Sequence, residues 1–139
     1  MENLSCSEPA PRRLCDDSAL IDKGDAFVFD VRHQGQPTTA FVLRFEGRLV
    51  GYLNRCAHVA AEMDWLPGKF LDSEQAFILC SIHGASYDPR NGRCAGGPCG
   101  RGSLTPITVA SIDAQVHWYP SLDTRPPPAE PRSAAESSP

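Results

Sequence analysis

The sequence predicts an all-β fold of antiparallel strands, and three observations carry that prediction. Apolar residues recur at every second position in several stretches, the period of a strand with one face buried. Turn-forming pairs such as Glu46-Gly47 and Asn91-Gly92 separate those stretches at hairpin spacing. Two short clusters of cysteine and histidine stand directly after predicted strands, which are rigid places from which to hang a ligand.

Taken in order, residues 1–13 mix Ser, Glu, Pro and Arg without periodicity and are expected to form a loose N-terminal arm. The domain itself is expected over residues 14–119. Ala26 to Val31 places Phe27, Phe29 and Val31 on one face of a half-buried strand; Gln34 to Pro37 is a turn. Thr38 to Phe45 repeats the pattern with Thr39, Phe41, Leu43 and Phe45 on one face. After the Glu46-Gly47 turn, Arg48 to Asn54 forms a third strand that runs into Cys56. The spacer from Val59 to Ala76 carries Met63, Trp65, Leu66 and Phe70 around Pro67-Gly68, a loop whose tryptophan is expected to pack it onto the core, in preference to shielding the metal site or helping a partner dock. Phe77 to Leu79 is a strand leading into Cys80, Ala85 to Asp88 leads away, and Asn91-Gly92 turns the next hairpin, so that both cysteine–histidine loops are expected at hairpin tips. Ile107 to Ile112 and Gln115 to Tyr119 alternate around Asp113-Ala114 as a final hairpin. From Pro120 onward Pro, Ala, Ser and Glu dominate, and residues 120–139 are expected to be a disordered tail.

The two clusters are Cys56-Ala57-His58 and Cys80-Ser81-Ile82-His83. Two thiolates and two imidazoles brought together by a folded spacer suit a metal site. A structural zinc site needs the same donors, although paired zinc ligands usually have two to four residues between them, more than Cys56-Ala57-His58 allows. The other histidines, His33 and His117, have no ligand-spaced neighbour and read as ordinary surface or edge residues.

The flanks extend the pattern: Gly84 follows His83, then come Tyr87-Asp88, Asn91-Gly92 and Gly96-Gly97-Pro98. In this the chain resembles the Rieske family of iron–sulfur proteins over roughly residues 17–119, whose pattern is Cys-x-His, a spacer of variable length, Cys-x-x-His-Gly and a Gly-Pro loop. The resemblance implies the Rieske fold, an antiparallel base carrying a cluster-binding subdomain from about residue 54 to 99. It also implies one [2Fe-2S] cluster held by two Cys and two His, with Cys56 and Cys80 on the inner iron and His58 and His83 on the outer one. Ala57, Gly84, Ala85, Tyr87, Gly97 and Pro98 would surround it. With two neutral imidazoles the oxidised site carries no net charge, whereas four thiolates leave it doubly negative. Reduction is correspondingly easier, at about −150 to +300 mV against roughly −400 mV.

Departures from the family pattern refine this. High-potential relatives place a serine after His-Gly and a tyrosine two further on, both donating hydrogen bonds toward sulfur. Here Ala85 stands at the serine position and Tyr87 retains the tyrosine, which points to the lower half of the Rieske range. The disulfide that joins the two cluster loops in the respiratory members cannot form, because Ala61 and Ser81 or Ile82 occupy those places. The likeness is therefore to the soluble bacterial ferredoxin branch. Cys6, Cys15, Cys94 and Cys99 are left without assignment. For Cys94 and Cys99, which flank Gly96-Gly97-Pro98, the reading as small unremarkable residues is preferred over a disulfide or a redox-sensing pair.

By resemblance the chain is a one-electron carrier, an electron-transfer component taking electrons from a reductase and passing them to an oxygenase or other terminal enzyme. Catalysis by this chain alone is not expected, since an oxygenase needs a further mononuclear iron on two histidines and a carboxylate. Other readings are a small subunit of a larger reductase of the nitrite reductase type, and a zinc-stapled or redox-sensing interaction domain. A net charge of −4 argues against a nucleic-acid partner. No run of about 18 apolar residues offers a membrane span, and Arg12-Arg13 is followed by Asp16-Asp17 where a twin-arginine signal would be apolar. A cytoplasmic protein, monomeric when free, is expected.

Overall fold

The alternation at Thr38–Phe45 conceals a second one. Phe41, Leu43 and Phe45 face one way, Ala40 and Val42 the other, and all of them are buried. In the structure, a computed structural model that describes residues 10–56, 62–81 and 84–127, this stretch is β3 (Gln36–Phe45), an inner strand covered on both faces. The half-buried strand expected from period 2 is therefore fully buried in its middle. The second apolar set, Ala40 and Val42, is small enough to escape notice beside phenylalanines.

β3 pairs on one side with β2 (Phe27–His33) and on the other with β4 (Arg48–Leu53), and the short β10 (Thr124–Arg125) closes the far edge of β2. A second antiparallel sheet has the order β1-β9-β8, from β1 (Arg12–Asp16), β8 (Thr108–Ile112) and β9 (Gln115–Tyr119). The two sheets are stitched where Leu53 N–H donates to Thr105 O and Ile107 N–H to Gly51 O. Gly51 is required there, since a Cβ would lie 2.8 Å from Ile107 Cγ1. The hairpins turn on Gln34-Gly35, Glu46-Gly47 and Asp113-Ala114, each pair with both φ angles positive. This is the turn whose twist matches that of the flanking strands. The expected boundary at residue 14 falls inside β1, and Thr124–Arg125 pair with β2 although they lie in the stretch expected to be disordered; both segments carry too few apolar residues to advertise a strand.

Ala40 and Val42 look into the base. Val31, Leu53 and Trp118 join Ala40, while Cys15, Leu20 and Val116 join Val42. Phe29 packs on Trp118 with ring centroids 5.2 Å apart. Arg44, also on β3, donates to Leu20 O and to the Asp17 carboxylate at 2.6 Å, fixing the 3-10 turn Asp17–Ala19 and holding the Asp17 carboxyl below its usual range.

Phe41, Leu43 and Phe45 look the other way, into a separate core shared with Tyr52, Met63, Phe70, Ile78, Tyr87 and Leu104. Phe41 stacks on Phe70 at 3.8 Å between centroids. Met63 and Phe70 thus anchor the spacer. Trp65, expected to do so, is 47% exposed, with its indole N–H donating to Leu71 O. A small third sheet, ordered β5-β6-β7 from β5 (Ile78–Leu79), β6 (Ser86–Tyr87) and β7 (Cys94–Gly96), completes this half.

Tyr52 couples the two halves: its buried hydroxyl donates to Pro89 O at 2.8 Å, and Gly92 leaves room for its ring. Burial, reinforced by the charge of Asp88, pushes its pKa up to about 12. A raised phenol pKa means that the fold favours the neutral form. That contribution is complete below about pH 10 and is lost as pH rises toward 12. Tyr52→Phe, which leaves the Pro89 carbonyl without this donor, is expected to cost about 1 kcal/mol in denaturant unfolding at neutral pH. Ultraviolet titration of the variant should lack the ionisation near pH 12 that Tyr52 contributes.

Candidate metal centre

β4 ends at Leu53, and Asn54 follows as one of the few buried polar side chains, 1% exposed. Every polar atom of that side chain is used. Its Oδ1 accepts from Met63 N–H at 2.8 Å, and its Nδ2 donates to Thr39 Oγ1 and to Asp64 Oδ1 at 3.1 and 3.2 Å. Asn54 therefore ties the two ends of the first loop together across Cys56. The expectation that this loop forms a hairpin tip is corrected here, because β4 and β5 lie in different sheets and a side chain closes the loop instead of a ladder. Sequence reasoning missed Asn54, since a polar residue at a strand end ordinarily faces water.

The second loop does sit at a hairpin tip. Cys80 N–H donates to Ala85 O at 2.8 Å and Gly84 N–H to Cys80 O at 3.0 Å, with Gly84 at φ +77°. Ser81 N–H donates to Met63 O, which links this tip to the exit of the first loop. The third loop follows β7 and turns on Gly97 at φ +84° and Pro98. It approaches the second loop so closely that a Cβ on Gly97 would lie 2.9 Å from both Ala85 Cα and Gly84 O.

The three loops bring the predicted residues together as follows. Cys56 and Cys80 are both buried, in one core with Ala85 and Tyr87, which are wholly buried. The Tyr87 hydroxyl lies 3.2 Å from Cys56 Sγ. A metal-bound thiolate has no proton, so toward such a sulfur the phenol is the donor. Gly84, Gly97 and Pro98 are exposed at the rim. Ala57, His58 and His83 lie outside the described residues. His33 and His117 stand apart on β2 and β9, His33 with Thr124 Oγ1 at 2.8 Å and His117 beside Gln115 O.

The cysteines without a predicted role separate clearly. Cys15 is buried in the base, where burial raises its pKa. Cys94 and Cys99 form a disulfide, with Cα atoms 5.7 Å apart, which overturns the preference for two unremarkable residues. The strand β7 and the turn at Gly97 fold the chain back within bonding range, and that return is invisible in a linear spacing. Cys6 lies outside the described residues.

Residues 13–115 match the family profile of the Rieske [2Fe-2S] domain. The chain therefore belongs to that family, and its cofactor is a [2Fe-2S] cluster with two cysteine and two histidine ligands. Among solved structures it is similar to the ferredoxin of carbazole 1,9a-dioxygenase from Nocardioides aromaticivorans IC177, at 23% identity and a TM-score of 0.64, covering 81% of this chain and 100% of that one. It is also similar to the Sphingomonas yanoikuyae B1 ferredoxin, at 22% identity and a TM-score of 0.59 over 81% and 100% of the two chains. A third likeness is to a chain from the complex of reduced oxygenase and oxidised ferredoxin in carbazole 1,9a-dioxygenase, at 20% identity and a TM-score of 0.57 over 77% and 90%. At these identities the likeness establishes the fold. No match was found among curated proteins.

The described residues fit such a cluster. Two sulfurs are carried on different loops into one core, a phenol lies beside one of them, and a glycine lets a third loop close over the second. Asn54→Ala would leave the Met63 N–H without this acceptor beside the first loop. It is expected to lower stability by about 2 kcal/mol, read from denaturant unfolding of the folded holoprotein, with faster loss of the visible chromophore.

Proposed function

We propose that Cys56, His58, Cys80 and His83 hold the cluster, and that the chain is a cytoplasmic one-electron carrier that takes electrons from a reductase and passes them to an oxygenase or similar terminal enzyme. The observation that carries this reading is the convergence of Cys56 and Cys80 in one core with the Tyr87 hydroxyl on the Cys56 sulfur. When bound, the cluster supplies a one-electron couple. The chain's own residues do the rest: Asn54 and the Cys80–Ala85 turn hold the two loops, and Tyr87 donates toward a sulfur that grows more negative on reduction. Support comes also from the two ferredoxins whose whole length this chain spans, one of them from a carbazole 1,9a-dioxygenase, and from the complex of reduced oxygenase and oxidised ferredoxin, 90% of whose matched chain is covered. The net charge of −4 is compatible with a partner that has a basic docking face, as it is with ordinary solubility. Among the described residues no helix is long and apolar enough to cross a membrane.

Electron paramagnetic resonance of the dithionite-reduced protein, with iron, sulfide and zinc assayed on the same anaerobic sample, tests the assignment. A rhombic signal of low average g-value with two irons and two sulfides per chain is expected, and Cys80→Ser should abolish it. A colourless protein holding zinc and refusing reconstitution would end the electron-carrier reading. Tyr87→Phe removes a hydrogen bond that favours the reduced state. The midpoint potential should fall by on the order of 40 mV, equivalent to about 1 kcal/mol for one electron, while an unchanged potential would remove Tyr87 from the account.

A further inference from the structure

The Cys94–Cys99 disulfide does not sit apart from the metal centre. Cys94 is the register partner of Tyr87 across the β6–β7 ladder, so one end of the bond is anchored opposite the residue whose hydroxyl meets Cys56. Cys99 is buried in the core that holds Cys56, Cys80, Ala85 and Tyr87, and Cys94 packs against that core. Between the two cysteines run Ala95, Gly96, Gly97 and Pro98, and Gly97 rests against the backbone of Gly84 and Ala85 in the second loop. The backbone repeats the closure, with Gly102 N–H donating to Cys99 O and Cys94 N–H to Gly102 O. The bond thus closes a small ring whose far side is the loop in contact with the second ligand-bearing loop.

We propose that Cys94 and Cys99 are a second redox site of this protein, a reversible thiol–disulfide pair whose state sets the potential and the lifetime of the cluster. The proposal rests on the ligand assignment above, because it requires the cluster to lie between the first and second loops. Disulfides in reducing compartments are commonly transient or redox-sensing, and this one is open to exchange from one side. Cys94 is half-buried while Cys99 is buried. A thiolate of a small dithiol protein or compound attacks Cys94 Sγ, forming a mixed disulfide as the Cys94–Cys99 bond breaks and Cys99 leaves as thiolate, which takes up the proton released by the attacking thiol. The second thiol of the reductant then displaces Cys94, leaving two protein thiols and an oxidised dithiol. Two electrons and two protons pass to the protein, and the reductant loses the same.

Opening the ring frees the Gly96-Gly97-Pro98 loop from one of its two closures. Water then gains access beside the second ligand loop. The reduced cluster is the more negative state, so added hydration favours it and raises the potential, while the same access shortens the cluster's life. Coupling of this kind is reciprocal: reduction of the cluster makes the disulfide easier to reduce by the same factor.

The test uses the full-length holoprotein purified without reductant. Alkylation under denaturing conditions followed by mass spectrometry reads the state of the pair, and the cluster's midpoint potential and the half-life of its visible absorption are measured before and after treatment with dithiothreitol, then again after reoxidation. The expected result is a bonded pair at the start and, in the dithiol form, at least a threefold shift of the cluster's reduction equilibrium, an upward change of about 28 mV. The cluster half-life should shorten at least threefold, and both changes should reverse on reoxidation. Cys94→Ser with Cys99→Ser should resemble the dithiol form, and chemical reduction of the unaltered chain serves if that variant does not fold. Alkylation of both Cys94 and Cys99 in the untreated protein, or equal potentials and half-lives in the two states, would overturn the proposal. Failure of the ligand assignment shows itself differently, as a Cys80→Ser chain that keeps its iron and sulfide.

Discussion

Burial of β3 on both faces is the constraint on which the remaining structure depends. Ala40 and Val42 commit one face to the base, while Phe41, Leu43 and Phe45 commit the other to the half that holds Cys56 and Cys80. A slip of one residue would exchange the two sets, placing phenylalanines where the base accepts alanine and valine. Register with β4 follows from β3, with Ala40 opposite Leu53 and Phe45 opposite Arg48. Where β4 ends, and hence where Cys56 emerges, is thereby set by packing well away from the loop itself.

An electron carrier gains from a site that changes little between its two oxidation states, and the loops here are tied accordingly. Asn54 closes the first loop with hydrogen bonds that leave none of its own polar atoms idle, which is what makes a buried amide tolerable. The second loop is a short hairpin with its own backbone bonds, and Gly97 brings the third against it. Tyr52 joins the floor to this assembly by a buried hydroxyl on Pro89 O. Each tie uses a different device, so the site does not rest on any one ladder.

The covalent brace is also placed differently from that of the respiratory relatives. In those proteins a disulfide joins the first loop to the second, whereas Ala61 and Ser81 or Ile82 occupy the corresponding places here. The Cys94–Cys99 bond is confined to the third loop and acts on the other two only through packing. A brace outside the loops that carry Cys56 and Cys80 can be opened without breaking either of them.

Several features were legible in the sequence because they depend on neighbours along the chain. Alternation placed β2, β3, β8 and β9 within a residue or two, and β9 without error, because the period of 2 is a local property of any strand. Spacing of Cys56, His58, Cys80 and His83, with Gly84 and Pro98 beyond, was enough to identify the family. Tertiary structure alone decided the features that depend on residues distant in sequence. Two-sided burial of β3 needed the second core to form over it. Pairing of Thr124–Arg125 needed the free edge of β2, and Asn54 became a buried clamp only once Met63, Asp64 and Thr39 had been brought around it. Cys94 met Cys99 because Gly97 turns the chain back at a positive φ. In each case the partner is supplied by the fold, and no residue type at a single position records which partner will arrive.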